Sequence, residues 1–248
     1  GVGGTHILEI LTRHSGNDLI RVDSALCHSS CGKSLGNDVV VTLGGYYGKN
    51  IFNSWQELIV GEVKYLIFTL DYGAQDPVLA WADEIIAAHP DHNVIITTHA
   101  YFFRDGTTLD AGDVVPPSNK GAQYNDGDEM WDKLIKKHEN IVLVLSGHDP
   151  CDNIVYAQDK GENGNLVTQM LVDPQGVDKA QGGVGLVCML YFSEDGKTMQ
   201  VEYYSTDKKA YFLENSQFTL NFDLADDKKA EVTTEQTEPV TDPEATSA

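Results

Sequence analysis

Three strongly apolar runs along the chain alternate with two stretches of helical periodicity. The runs at 93–98 and 141–146 are β-branched or apolar almost throughout, and the run at 64–71 is rich in aliphatic and aromatic residues, which is typical of strands buried on both faces of a sheet. Between them, apolar residues recur at helical spacing in 77–89 and 128–138. This alternation predicts neighbouring parallel strands in one sheet, with the two helices packed on it.

Beyond Asp152 the helical periodicity stops and short strand-like runs follow one another. They lie at 153–158, 166–172, 184–192, 199–205 and 218–222. The Asp-Gly pair at 195–196 predicts a hairpin turn. Helices in the first half and strands in the second place the chain in the α+β class.

The same pattern divides the chain into three parts. Residues 1–45 contain only short apolar runs and stay unassigned, whereas residues 46–224 form one folded domain. Within that domain, the 106–123 loop is long enough to be functional rather than a simple connection. Residues 225–248 are rich in Glu, Asp, Thr and Pro and contain no aromatic residue. We expect a disordered acidic tail there, linking to a further domain or to an anchor.

Charge narrows the range of partners. The 248 residues include 38 acidic and 17 Lys or Arg side chains, for a net charge of −21. A nucleic-acid-binding surface is not expected, because phosphate backbones are bound by Lys and Arg. An anionic membrane surface is disfavoured for the same reason, and no apolar run approaches the ~20 residues of a membrane span. The negative net charge is still compatible with a phosphate substrate if bound metal cations supply positive charge at the site.

Two histidines are the candidate functional residues. His99 directly follows the second apolar run, and His148 follows the third after a single Gly147. Ligands of α/β sheets bind beyond the carboxyl ends of the strands, and neutral imidazole is a ligand for transition metals. The alternative is that both imidazoles merely cap strands through hydrogen bonds. The sequence therefore predicts that His99 and His148 approach within ~5 Å of each other and share one metal ion.

The four cysteines give a weaker signal. Cys27 and Cys31 flank His28, but a structural zinc site needs a second pair of ligands, and Cys151 and Cys188 stand far apart in the sequence. A local disulfide or two free thiols is the expectation for Cys27 and Cys31.

A series of segments resembles the calcineurin-like metallophosphoesterases, especially secreted bacterial members, over residues from about 50 to 222. The segments are 63–73, 94–100 ending in Thr-His-Ala, 128–134, and 145–148 with the sequence Leu-Ser-Gly-His. The resemblance implies a sandwich of two mixed sheets between helices, in α/β/β/α layers. It also implies a two-metal site that hydrolyses phosphomonoesters or phosphodiesters, with Zn, Fe or Mn as the ions, and an extracellular or cell-surface location.

The family's metal ligands come in five blocks, of which this sequence matches the last two. By the resemblance, His99 corresponds to the strand-end His of the fourth block and His148 to the first His of the fifth block, Gly-His-x-His. The second His of that block falls on Pro150, for which Asp152 is the candidate substitute and Asp149 the weaker one. His99, His148 and Asp152 are therefore the expected metal ligands.

The first three blocks, Asp-x-His, Gly-Asp and Gly-Asn-His, are not found. The Gly-Asn-Asp at 16–18 looks like the third of them, but its surroundings do not fit. One interpretation is a true phosphoesterase truncated at the N-terminus, weakly active or inactive as it stands. The other is a catalytically degenerate extracellular domain of the same fold that binds a ligand or partner. An acidic extracellular domain unrelated to the family, free of bound metal, is the third.

Overall fold

The computed structural model describes residues 9–13, 19–23, 39–49, 51–177 and 184–225. They form a mixed α/β structure with two large sheets and few helices. The strands are β1 (Glu9–Arg13), β2 (Leu19–Asp23), β3 (Val39–Tyr46), β4 (Ser54–Val60), β5 (Val63–Leu70), β6 (Asn93–Thr98), β7 (Ile141–Ser146), β8 (Val155–Lys160), β9 (Leu166–Leu171), β10 (Leu186–Phe192), β11 (Thr198–Ser205), β12 (Ala210–Tyr211) and β13 (Phe218–Asn221).

The seven-stranded sheet has the order β3-β4-β5-β6-β7-β9-β8. Within it, β5 pairs with β6, β6 with β7, and β7 with β9, all in parallel. The predicted neighbours at 64–71, 93–98 and 141–146 are thus confirmed as adjacent parallel strands. The carboxyl ends of four consecutive strands therefore meet at one edge of this sheet.

Two helices follow the predicted pattern, α1 (Asp76–Ala88) and α2 (Gly127–Lys133). The second is shorter than the predicted 128–138, because the backbone of Leu134 (φ −133°, ψ −59°) leaves the α-helical region and a 3₁₀ turn at Ile135–Lys137 follows. Both helices pack on the same face of the seven-stranded sheet. Their shared core includes Leu66, Phe68, Leu70, Val78, Ala82, Ile86, Ile96, Met130 and Leu134.

The opposite face of the seven-stranded sheet meets the second sheet. Successive side chains of a strand point to opposite faces, so Tyr65 and Ile67 alternate with the helix-facing residues of β5. They share one buried cluster with Leu190 of β10 and Val201 of β11. Both described α-helices belong to the other buried cluster, on the far face of the seven-stranded sheet, and the four-layer arrangement stays a prediction.

The second sheet gathers the predicted late strands and one early pair. Its path is β12-β11-β10-β1-β2, with β13 added beside β11. The strands predicted from 153 onward are confirmed with shifts of at most two residues, and Gly196 of the predicted hairpin has a φ of +72°. The segment before residue 46, which the sequence left unassigned, supplies β1, β2 and β3. Cys27, Cys31 and residues 226–248 lie outside the described residues.

Candidate functional site

The carboxyl edge of the seven-stranded sheet gathers polar side chains from four strands. Asp71 and Tyr72 follow β5, His99 follows β6, His148 follows β7, and Asp173 follows β9. Their backbones are tied together across the edge: the amide of Gly147 donates to the carbonyl of His99 at 3.0 Å. The hydroxyl of Thr98 donates to the carbonyl of Asp71 at 3.3 Å. This edge is where an α/β sheet binds ligands.

The two predicted histidines meet there. Nδ1 of His148 lies 3.1 Å from Nε2 of His99, and the ring centroids are 4.9 Å apart. The predicted approach within ~5 Å is confirmed. Both side chains are half-buried, so the pair is reachable from solvent while most of each ring is held by protein.

A backbone carbonyl determines which ring nitrogen of His148 carries the proton. Its Nε2 lies 2.8 Å from the carbonyl oxygen of Val115. A carbonyl only accepts hydrogen bonds, so Nε2 carries the proton and, in the neutral ring, Nδ1 presents its lone pair towards His99. Metal-binding histidines characteristically donate their second ring N–H to a carbonyl or carboxylate in this way. Val115 therefore supplies the hydrogen-bond acceptor for the second ring nitrogen of His148, which the sequence could not name.

The spacing of the two nitrogens suits a shared ion. Two nitrogens that each lie at 2.0–2.1 Å from one Zn²⁺ are about 3.3 Å apart at a tetrahedral angle and about 2.9 Å apart at a right angle. The observed separation of 3.1 Å falls between these values. The distance between the two nitrogens is therefore compatible with two ligands of one transition metal ion.

Two residues of the site have strained backbone conformations, and one aromatic ring lies next to the histidine pair. Val115 and His148 both have positive φ, +58° and +77°, a region that costs a non-glycine residue of order 1–3 kcal/mol and that recurs at functional sites. The ring of Tyr72 lies 5.7 Å from that of His99 and 5.4 Å from that of His148, centroid to centroid. Burial and the charge of Asp126 both raise the pKa of Tyr72, so its hydroxyl stays protonated at neutral pH.

The structure does not bring Asp152 to the histidines. Among the described residues, no third His, Cys or carboxylate ligand atom lies within 4.8 Å of both imidazoles. After His148 the chain turns towards Gly176, where an added Cβ would lie 3.7 Å from Pro150 and 3.8 Å from the carboxylate of Asp152. The exposed carboxylate of Asp152 thus lies beside Gly176.

Asp149, the weaker alternative, is already engaged. Its buried carboxylate accepts from Nε of Arg104 at 2.8 Å, from the backbone amide of Arg104 at 2.9 Å, and from Nη2 of the same guanidinium. Hydrogen bonding to Asp149 raises the pKa of Arg104. A carboxylate held on both oxygens by an arginine is a poor candidate for a metal ligand.

Replacing Arg104 by alanine should lower the free energy of unfolding by about 2–3 kcal/mol, as measured by urea denaturation. The substitution leaves the carboxylate of Asp149 buried, with 4% side-chain exposure, and without its cation. The double variant Arg104→Ala/Asp149→Asn should recover part of this loss, because no charge is then buried. Equal free energies of unfolding for the single variant and the wild type would show that the ion pair between Arg104 and Asp149 does not stabilise the fold.

A cluster of three carboxylates elsewhere in the described residues has a structural explanation. The carboxylates of Asp126, Asp128 and Glu129 lie within 4.8 Å of one another. Asp126 accepts from the amide of Ser118 at 2.7 Å, and its own amide donates to Glu129 at 2.8 Å, within the capping box that starts α2. These contacts account for the cluster as a helix cap.

The two described cysteines are free thiols. Burial raises the pKa of Cys151 to about 11 and that of Cys188 to about 12. Both side chains are therefore neutral at physiological pH, and neither is suited to act as a thiolate nucleophile.

Sequence reasoning missed several residues of this edge. Asp71, Tyr72 and Asp173 follow buried strands just as the histidines do, so the same rule could have found them. Asp173 is fully buried, and its carboxylate accepts from the side-chain amide of Gln175 at 2.8 Å. Val115 carried no usable signal, since its role depends on its carbonyl and on the path of a long loop.

Comparison with known proteins finds a distant relative of this chain. No family model matches the chain. An uncharacterized protein of Bacillus subtilis (strain 168), YvnB, is 27% identical over 175 residues, which cover 64% of this chain. The chain spans 12% of that protein's length. Separately, neither helix of the described part is long and apolar enough to cross a membrane.

Proposed function

We propose that this chain is part of a metal-dependent phosphoester hydrolase of the calcineurin-like type, with His99 and His148 as ligands of one metal ion. The observation that carries the proposal is the 3.1 Å separation between His148 Nδ1 and His99 Nε2 at the carboxyl edge of the sheet. The Val115 carbonyl supports it, because it holds the proton on Nε2 of His148 and so leaves Nδ1 as the nitrogen that can bind a metal.

The architecture is compatible with this family. Two mixed sheets share one buried cluster, and two helices cover the outer face of the seven-stranded sheet. The strands that precede His99 and His148 are parallel neighbours in one sheet, which supports the proposal. The four-layer form of the family is part of the proposal.

The family resemblance implies Zn, Fe or Mn as the ion, and of these the two imidazoles favour Zn and Fe. Imidazole suits such transition metals better than it suits Mg²⁺ or Ca²⁺. A bound ion of this kind polarises a phosphoryl oxygen and lowers the pKa of a coordinated water. The chain's own part is to hold the two imidazoles at a fixed spacing. The second metal of the family site needs ligands from the three blocks that this sequence lacks.

Residues 1–248 alone should hydrolyse p-nitrophenyl phosphate and its bis-ester at background rates, even with added Mn²⁺ or Zn²⁺. The reason is charge, since the matched blocks supply ligands for at most one ion and the transition state needs a two-cation clamp. A longer protein that joins this chain to the missing blocks should show metal-dependent turnover, lost in the His148→Ala variant.

Release of p-nitrophenolate measures both activities. Turnover by residues 1–248 that depends on metal and on His148 would place further ligands outside the described residues. A longer protein that is inert towards both substrates, while it binds metal, would contradict phosphoester hydrolysis.

A degenerate binding domain of the same fold is the second candidate. Pro150 stands where the family has its second histidine, and in the described residues no third ligand joins His99 and His148 within 4.8 Å. Metal binding without turnover in the longer protein is the result that would favour it.

A further inference from the structure

A lysine stands beside the histidine pair on the long loop between β6 and α2. Its ammonium, Nζ of Lys120, lies 3.9 Å from the centroid of the Tyr72 ring. The same ring lies 5.4 Å from His148 and 5.7 Å from His99, centroid to centroid. One aromatic ring thus contacts both a cation and the two imidazoles, so Tyr72 links Lys120 to the candidate site.

The loop that carries Lys120 is anchored rather than loose. A Cβ on Gly73 would lie 2.6 Å from Cβ of Pro117, so only glycine lets the loop pack on the turn after β5. The amide of Ser118 donates to Asp126 at 2.7 Å, and the side chain of Asn125 donates to the carbonyl of Ala74 at 2.7 Å. These contacts fix the backbone on both sides of Lys120.

Lys120 is also available for an incoming anion. Arg104 is committed to Asp149, and Lys133 donates to Asp76 and Asn125. The exposed Lys120 side chain has no ion pair within the part of the chain that the structure describes. In a chain of net charge −21, an ammonium without an ion pair among the described residues supplies positive charge at the carboxyl edge of the sheet.

We infer that Lys120 binds an anionic oxygen of the phosphate group that the candidate site takes, with the Tyr72 ring as the platform that holds the ammonium in place. The inference rests on the proposed function. An ammonium binds phosphate as a point charge through charge-assisted hydrogen bonds. The cation–π contact limits the freedom of the side chain before the anion arrives.

Isothermal titration of residues 1–248 with inorganic phosphate tests this, with and without Zn²⁺. Lys120→Ala should weaken phosphate binding about tenfold, the usual effect of losing one charge-assisted hydrogen bond. Tyr72→Ala should weaken it less, because the ammonium remains but loses its platform. The matched control is Lys208→Ala: Lys208 also lies over an aromatic ring, 4.5 Å from that of Phe212, but on the second sheet. It should leave phosphate binding unchanged.

Zinc titrations of the same variants separate this inference from the proposed function. His148→Ala should lose zinc, whereas Lys120→Ala should not weaken zinc binding, because it removes a competing positive charge. Phosphate binding that Lys120→Ala reduces would establish the anion site even if zinc does not bind and the proposed function fails. Equal phosphate affinity of Lys120→Ala and Lys208→Ala would overturn the inference, and so would a wild-type chain that binds no phosphate in either condition.

Discussion

Replacing His148 by alanine should lower the affinity of the chain for Zn²⁺ at least about 100-fold. The variant removes Nδ1, one of two nitrogens that lie 3.1 Å apart at the strand ends. Changes to the hydrogen-bond partners of metal ligands already cost 10–100-fold in affinity, so loss of a ligand should cost more. A competition titration against a fluorescent zinc chelator measures the effect.

The matched control for this experiment is His138→Ala. His138 is half-buried, and its Nε2 bonds to Asp83 at 2.8 Å, so it shares the chemistry of His148 but lies before β7 rather than after it. Both variants are best made in a Cys27→Ser/Cys31→Ser background, which removes thiolates that would also bind zinc. Equal zinc affinity in the two variants would contradict the role given to His148.

Replacing Gly127 by alanine should lower the free energy of unfolding by at least about 3 kcal/mol. Gly127 is the first residue of α2, and a Cβ there would lie 1.9 Å from the carbonyl oxygen of Tyr101 and 2.9 Å from the amide of Leu109. Both contacts are with backbone, which cannot rotate away as a side chain would, so the helix or the loop has to move. Urea denaturation followed by tryptophan fluorescence measures the loss.

Gly176→Ala is the control, because its added Cβ would meet Pro150 and Asp152 at ordinary distances of 3.7 and 3.8 Å. It should change the free energy of unfolding by less than about 1 kcal/mol. If Gly127→Ala proves no more destabilising than Gly176→Ala, the close packing of α2 against Tyr101 is not as described.

The sequence was most informative where strands are buried on both faces. The run at 93–98 coincides with β6 and that at 141–146 with β7, because the aliphatic residues of each run are buried on both faces of the sheet. His99 and His148 could be paired from the sequence for a related reason. The carboxyl ends of adjacent parallel strands share one edge, so residues that directly follow them come together.

Features that depend on distant parts of the chain were not readable. β1 pairs with β10, setting Ile10 opposite Leu190, and no local pattern marks so remote a pairing. The sequence predicts Asp152 at the metal because it is near His148, but among the described residues no carboxylate oxygen lies within 4.8 Å of both imidazoles. Lys120 reaches the site only because Gly73 admits the loop. Tertiary packing sets these contacts, and hydrophobic periodicity along the sequence carries no information about them.

Anomalous diffraction at the zinc edge, from crystals of residues 1–248 grown with Zn²⁺, would locate the ion directly. We expect a peak between His148 Nδ1 and His99 Nε2, about 2.0–2.1 Å from each nitrogen. The N–H of His148 Nε2 should stay bonded to Val115, with oxygen or solvent filling the remaining positions. A zinc peak at Asp126, Asp128 and Glu129 or at Cys27 and Cys31 alone, with the two imidazoles bonded to each other and free of metal, would contradict a metal centre at His99 and His148.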